Sequence, residues 1–233
     1  MKLFADTADL RELKELDEMG LICGITTNPT IASQTGKNLV DVLANIAKEF
    51  PEIPVFGQVV AKDTEGMVAE ARKIVTAGKN IVVKLPATRE AVKAIKILHA
   101  EGIKTCATAV LTASQGFLCA TAGADYVAPY TGQNDVIGYD GLVTLEQLCD
   151  VIHEEGLPTE VLAASIEKPQ EIVEYALAGA DIVTMPYHVF TDTFDSPLPL
   201  TKYYVDRFYK DWSGAGCVIE GCLLYTSDAA DEL

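Results

Sequence analysis

No run of apolar residues in this chain comes near the ~20 needed to cross a bilayer. Behind Met1-Lys2-Leu3-Phe4 the sequence reaches Asp6 without the apolar segment of a secretory leader, so the cytoplasm is the expected compartment. Basic residues are scarce: 18 lysines and arginines stand against 34 acids, a formal charge of -16. Nucleic acid and an anionic membrane surface both demand a basic face, and neither is an expected partner. The six cysteines, Cys23, Cys106, Cys119, Cys149, Cys217 and Cys222, have no CxxC spacing, and His99, His153 and His188 have no HxxxH spacing. Free thiols in a reducing compartment are expected, and no metal site. With no Walker A loop and no GxGxxG fingerprint, no nucleotide cofactor is expected either. Small molecules remain as partners.

What the chain does have is a repeated alternation of short apolar runs with longer amphipathic segments. The runs fall at 3–6, 24–26, 55–59, 81–84, 104–108, 126–129, 160–164 and 181–185. Between them lie helical patterns such as Leu39-Val42-Leu43-Ile46, Met67-Ala71-Ile74-Val75, Val92-Ile95-Leu98 and Leu145-Leu148-Val151-Ile152. Eight strand-helix units predict a single (β/α)8 TIM barrel, and 233 residues with 49% hydrophobic content suffice for its core. Gly78, Gly102, Gly123, Gly156 and Gly179 stand where helices should stop in a left-handed residue before the next strand. A further helix is predicted at 200–212, with Tyr203, Tyr204, Val205, Phe208, Tyr209 and Trp212 as a wide apolar face for a neighbouring subunit or a barrel end. The barrel with this helix is assigned 1–221, and 222–233 is read as a non-native or disordered tail.

In barrels of this type the chemistry sits at the carboxyl ends of the strands. Here those ends carry Asp6, Thr26 and Asn28, Gln58, Lys84, Thr108, Tyr130 and Ser165. Each has a dull alternative taken singly: a helix cap for Asp6 or Asn28, a bonded core amide for Gln58, a β-branched strand residue for Thr108, a turn hydroxyl for Ser165, and a snorkelling cation for Lys84. Together they are too polar for packing. Lys84 closes the apolar run Ile81-Val82-Val83, and an amine desolvated there is favoured in its neutral form, which can attack a carbonyl.

From Leu3 to about Trp212 the chain resembles the small transaldolase family, within it the fructose-6-phosphate aldolase group. The resemblance is carried by Gly24-Ile25-Thr26-Thr27-Asn28-Pro29-Thr30 and by Ile81-Val82-Val83-Lys84-Leu85-Pro86-Ala87-Thr88. Asp6-Thr7-Ala8-Asp9, Phe56-Gly57-Gln58-Val59, Ala107-Thr108-Ala109-Val110, Ala128-Pro129-Tyr130 and Leu162-Ala163-Ala164-Ser165 match as well, while Ala91 stands where the family usually has glycine. The resemblance implies a class I aldolase in which Lys84 forms a Schiff base with a ketone donor. Asp6 and Asn28 would orient donor hydroxyls. Tyr130, with Gln58 and Thr108 holding a water, would move protons. Thr26, Ser165, Gln133, Glu167 and Phe56 complete the expected substrate site, and a homo-oligomeric ring, possibly a decamer, is implied. Dedicated transaldolases of the family have glutamate and phenylalanine at the Gln58 and Tyr130 positions, so this chain resembles the aldolases there.

Two departures bear on substrate. The family binds the acceptor phosphate with an arginine shortly after the Tyr130 position and often a second cation two residues after Ser165; here the residues are Gln133 and Glu167. Glutamine cannot supply arginine's bidentate fork, and a carboxylate repels a dianion, so a small unphosphorylated aldehyde is expected. A weak phosphate site from Ser165, Lys168 and backbone amides stays open. The tail 222–232 resembles the translation of a sequencing-library adapter. Two other functions compete: transfer of a dihydroxyacetone unit between sugar phosphates, and a non-catalytic sugar-binding barrel.

Overall fold

In the computed structural model, residues 1–194, 199–216 and 219 are described, so the expected tail at 222–233 lies outside the described residues. The chain divides into two compact units, Met1–Phe190 and Thr191–Leu233.

The first unit is a closed barrel of eight parallel strands in sequence order. They are β1 (Lys2–Asp6), β2 (Ile25–Thr26), β3 (Val55–Gln58), β4 (Ile81–Pro86), β5 (Thr105–Val110), β6 (Tyr126–Pro129), β7 (Glu160–Ala163) and β8 (Ile182–Met185). The helices are α1 (Leu10–Glu18), α2 (Pro29–Gln34), α3 (Leu39–Glu49), α4 (Thr64–Ile74), α5 (Arg89–Ala100), α6 (Ala113–Thr121), α7 (Thr131–Val136), α8 (Gly141–Glu154), α9 (Gln170–Leu177) and α10 (Tyr187–Phe194). The expected TIM barrel is therefore present. The second unit contains α11 (Pro199–Gly214), the helix expected at 200–212; Tyr203, Tyr204, Phe208 and Trp212 on it are exposed.

Helix starts follow local chemistry. Asp9, Asn38, Asp63, Thr88, Thr112 and Asp140 each accept a backbone N–H from the first turn that follows, and Thr112 completes a reciprocal cap with Gln115. Such caps contribute about 1 kcal/mol apiece. Helix ends at Gly102, Gly123, Gly156 and Gly179 have the expected positive φ. Gly78 does not: its φ of 177° is extended backbone, and a Cβ there would lie 2.7 Å from that of Ala47. Its reason is close approach, not handedness.

Side chains alternate across each strand, so the two sheet faces have separate cores. Outward residues, among them Ala5, Ile25, Val55, Ile81, Val83, Ala107 and Val127, pack under the helices. Inward residues Phe4, Phe56, Val82, Cys106, Ala128, Leu162 and Ile182 form a second cluster that fills the barrel. Phe56 meets Phe4 and Tyr126 edge-on, with ring centroids 5.7 and 5.0 Å apart. Below this plug the inward residues at the strand starts include Lys2 and Glu160, paired at 2.6 Å. Above it the same parity delivers Asp6, Thr26, Gln58, Lys84, Thr108 and Thr184. The plug is a floor under the mouth.

Gly24 lets that floor close, because a Cβ there would fall into the Phe4 ring. Gly24→Ala is expected to destabilise by about 1–3 kcal/mol, since the ring is held by Phe56 and cannot move freely. For a domain of this size that is a fall of roughly 3–10 °C in Tm. Combining it with Phe4→Leu should cost less than the sum of the two single changes in calorimetry. Strict additivity would contradict this packing.

Candidate active site

A cavity of about 380 Å³ opens at the carboxyl ends of the strands. Asp6, Asn28, Lys84, Tyr130, Gln133, Ala164, Ser165 and Thr184 line it. A larger depression of about 730 Å³ shares Asp6 and lies between the starts of α1 and α10 and the end of α2, but it contains no strand-end lysine. The smaller cavity is the candidate site.

Lys84 is 5% exposed, and its Nζ donates to the Thr27 carbonyl at 3.0 Å. Its neighbours in register are Gln58 on β3 and Cys106 on β5. Burial pushes the Cys106 thiol up to about 12, with Lys84 pulling the other way, so this sulfur is an inert thiol beneath the lysine. Gln58 Oε1 is buried and meets no hydrogen-bond partner among the described residues. A buried amide oxygen left so is costly, and this one lies next to Lys84 in register.

On the β5 and β6 side Thr108 Oγ1 donates to the Tyr130 hydroxyl at 3.0 Å. That leaves the phenolic hydrogen available for a further acceptor. Two strained residues set this side. Ala109, directly after Thr108, has φ 53° where β5 shifts register against β6, and Ser165 has φ 68°. Ser165 is held by its surroundings: Tyr130 bridges Ala164, Thr131 Oγ1 donates to the Ala164 carbonyl at 3.0 Å, and a Cβ on Gly132 would lie 2.5 Å from the Ser165 carbonyl. Left-handed non-glycine backbone persists only where the surroundings over-determine it, and such residues cluster at functional sites.

At the third corner Thr26 Oγ1 donates to Asp6 Oδ1 at 2.6 Å and lies 2.6 Å from Thr184 Oγ1. Asn28 is a helix cap, its Oδ1 accepting from Ile31 N at 2.9 Å, yet it also lines the cavity. Capping engages the oxygen and leaves the amide nitrogen for another partner. The dull and the functional readings of Asn28 are compatible.

The structure thus brings Asp6, Asn28, Lys84, Tyr130, Gln133 and Ser165 to one cavity and puts Thr26 and Thr108 in direct hydrogen bonds with its walls. Gln58, next to Lys84 in register, is not among the wall residues, and neither is Phe56. That ring is fully buried in the floor, because the position two residues before Gln58 on the same strand face lies one layer deeper. Glu167 is exposed and absent from the cavity wall; its backbone N–H instead bonds Glu171 at 2.8 Å. Thr184 and Ala164 are wall residues that the sequence reading missed, since in Ile182-Val183-Thr184-Met185 a threonine looks like one more β-branched strand residue. Only strand parity, counted against Phe4 and Asp6, could have turned it inward. Among the described residues no cluster of three His, Cys, Asp or Glu side chains could hold a metal ion.

A closed (β/α)8 barrel with a buried lysine among hydroxyl, amide and carboxyl groups at its carboxyl-end mouth defines an enzyme-type site for a small polar molecule. The chain belongs to the transaldolase/fructose-6-phosphate aldolase family, which matches residues 3–215. It is 42% identical over 215 residues to a protein of Clostridium acetobutylicum named "Probable transaldolase", covering 92% of this chain and 99% of that one. "Probable transaldolase 1" of Listeria monocytogenes is 41% identical with the same coverage. "Probable transaldolase" of Methanococcus maripaludis is 41% identical over 91% of this chain and 97% of its own. The fold is also similar to that of a solved 3-hexulose-6-phosphate synthase, with a TM-score of 0.61 over 80% of this chain and 90% of that one, at 18% identity. The protein is therefore a transaldolase-like aldolase enzyme, and the non-catalytic barrel is set aside.

Lys84→Met tests whether the lysine belongs to the chemistry or to the scaffold. Removing a buried amine held by one hydrogen bond and filling its space with an apolar chain is expected to keep or raise the Tm. A fall of more than several degrees by calorimetry would make Lys84 structural.

Proposed function

We propose that the protein is a Schiff-base aldolase that joins and cleaves dihydroxyacetone-type ketone donors and unphosphorylated aldehyde acceptors. The observation that carries this reading is Lys84, a buried amine in the wall of the strand-end cavity, beside an unpartnered Gln58 oxygen and facing a Tyr130 hydroxyl with a hydrogen to give. Its Nζ adds to the ketone carbon, and loss of water leaves an iminium. Removal of a proton from the adjacent carbon gives an enamine, which attacks the aldehyde carbon. The aldehyde oxygen takes up a proton as the carbon–carbon bond forms, and water then releases the product and restores the amine. Tyr130 and a water held by Gln58 handle the protons, work of a kind that contributes about 10² to 10⁴ in rate. Asp6 and Asn28 orient the donor hydroxyls.

Transfer between sugar phosphates is the second reading, favoured by the names of the relatives. Gln58 and Tyr130, which resemble the aldolases of the family, support the first, as does the wall residue Gln133 in place of a phosphate-binding arginine. Glu167 lies off the wall and adds only a distant negative charge. A homo-oligomer, possibly a ring, belongs to the same reading, supported by the exposed aromatic row of α11.

A single kinetic panel separates the readings. Free dihydroxyacetone should condense with glyceraldehyde without any sugar-phosphate donor, and glyceraldehyde should be preferred to its 3-phosphate. Gln133→Arg should then raise specificity for the phosphorylated aldehyde by roughly 5- to 30-fold, the equivalent of one charge-assisted hydrogen bond. Turnover only with sugar-phosphate donors would favour transfer. A parent that already prefers the phosphorylated aldehyde by that margin would show that another group binds phosphate.

A further inference from the structure

The hydroxyl chain on the β1, β2 and β8 side of the cavity has only one consistent hydrogen order. A threonine hydroxyl carries a single hydrogen and two lone pairs. Thr26 spends its hydrogen on Asp6 Oδ1. It therefore has none for Thr184, and the 2.6 Å contact between the two hydroxyls must run from Thr184 to Thr26. Thr184 in turn has no hydrogen left. Its oxygen lies in a residue 4% exposed and in the cavity wall, with its lone pairs uncommitted to any other partner among the described residues.

We propose that Thr184 is a specificity-determining residue whose hydroxyl, fixed by Thr26 and Asp6 as an obligate acceptor, selects ketone donors that present a hydroxyl hydrogen to it. This rests on the reading of the cavity as a site for a hydroxylated ketone, and it adds a residue and a direction. A donor hydroxyl facing Thr184 gives its hydrogen to that oxygen. A donor with only hydrogen on carbon at that place leaves a buried acceptor unpaired, which is where polar sites gain their discrimination. The chain also links recognition to Asp6. The carboxylate that bonds Thr26 is itself in the cavity wall, so one residue both fixes the order of the chain and stands ready to take a second donor hydroxyl.

The test removes oxygens from enzyme and donor in turn. Dihydroxyacetone, hydroxyacetone and acetone differ by one hydroxyl at each step, and each is compared in parent, Thr184→Val and Thr184→Ser with glyceraldehyde as acceptor. Valine is the isostere without the hydroxyl, and serine keeps the hydroxyl without the methyl. The valine change also leaves Thr26 short of a donor, but that cost falls on every ketone alike and cancels in a ratio. At one of the two steps the parent's preference for the more hydroxylated donor, read as a ratio of kcat/KM, should drop about 5- to 10-fold in Thr184→Val, as expected for one hydrogen bond, and return in Thr184→Ser. Equal losses for all three donors, or no loss, would overturn the proposal and make Thr184 a structural residue. NMR titration with the same three ketones gives the ratio independently of turnover. If the parent binds and discriminates them by that pattern without condensing them, the aldolase reading fails while the Thr184 assignment stands.

Discussion

Closing eight parallel strands into one ring leaves room inside for about four side chains at each level, one from every second strand, and that steric limit organises everything else here. Side chains alternate, so each strand sends every second residue inward, and the register of neighbouring strands decides its depth. The lowest level holds ions that reach water at the strand starts, among them Lys2 and Glu160. The middle level is sealed by Phe4, Phe56 and their neighbours. Only the top level can be polar and dry together, because the floor excludes water from below while the cavity admits substrate from above.

That arrangement explains how a lysine can be 5% exposed and still be useful. Lys84 leaves its aliphatic stem among the barrel interior and holds its amine with one backbone carbonyl, Thr27 O. Around it, the polar groups are only partly satisfied: the Gln58 oxygen is unpaired, Tyr130 receives from Thr108 without giving, and Thr184 gives without receiving. A scaffold built for stability alone would pair or delete these groups. Their incompleteness matches a ligand rich in hydroxyl and carbonyl groups, and the strain at Ala109 and Ser165 lies beside the same groups.

The barrel was legible because its signals are local and repeated. Eight apolar runs, helical periodicities and helix-end glycines each report one element, and eight agreeing elements leave one architecture. The candidate site was legible at strand ends, where Asp6, Asn28, Lys84 and Tyr130, which line one cavity, follow or close an apolar run. Depth and register were not. Phe56 sits two residues before Gln58 and looks equally near the mouth in sequence, yet it lies one layer deeper, in the floor. Thr184 is hidden in an unbroken strand, and the short helices α2, α7 and α10 have too few turns to show a period. Gly78 failed differently, since sequence cannot distinguish a glycine needed for its φ from one needed for close packing against Ala47. Glu167 was placed by resemblance to a binding position, while the loop after β7 turns its side chain to solvent.

The central claim is that the buried amine of Lys84 bonds covalently to a ketone. Incubation with dihydroxyacetone, reduction with borohydride and peptide mass mapping address it most directly. The account predicts one reduced adduct, on the peptide that contains Lys84. An adduct on Lys2 or Lys104 instead, or no adduct in a protein that turns over its substrates, would contradict it.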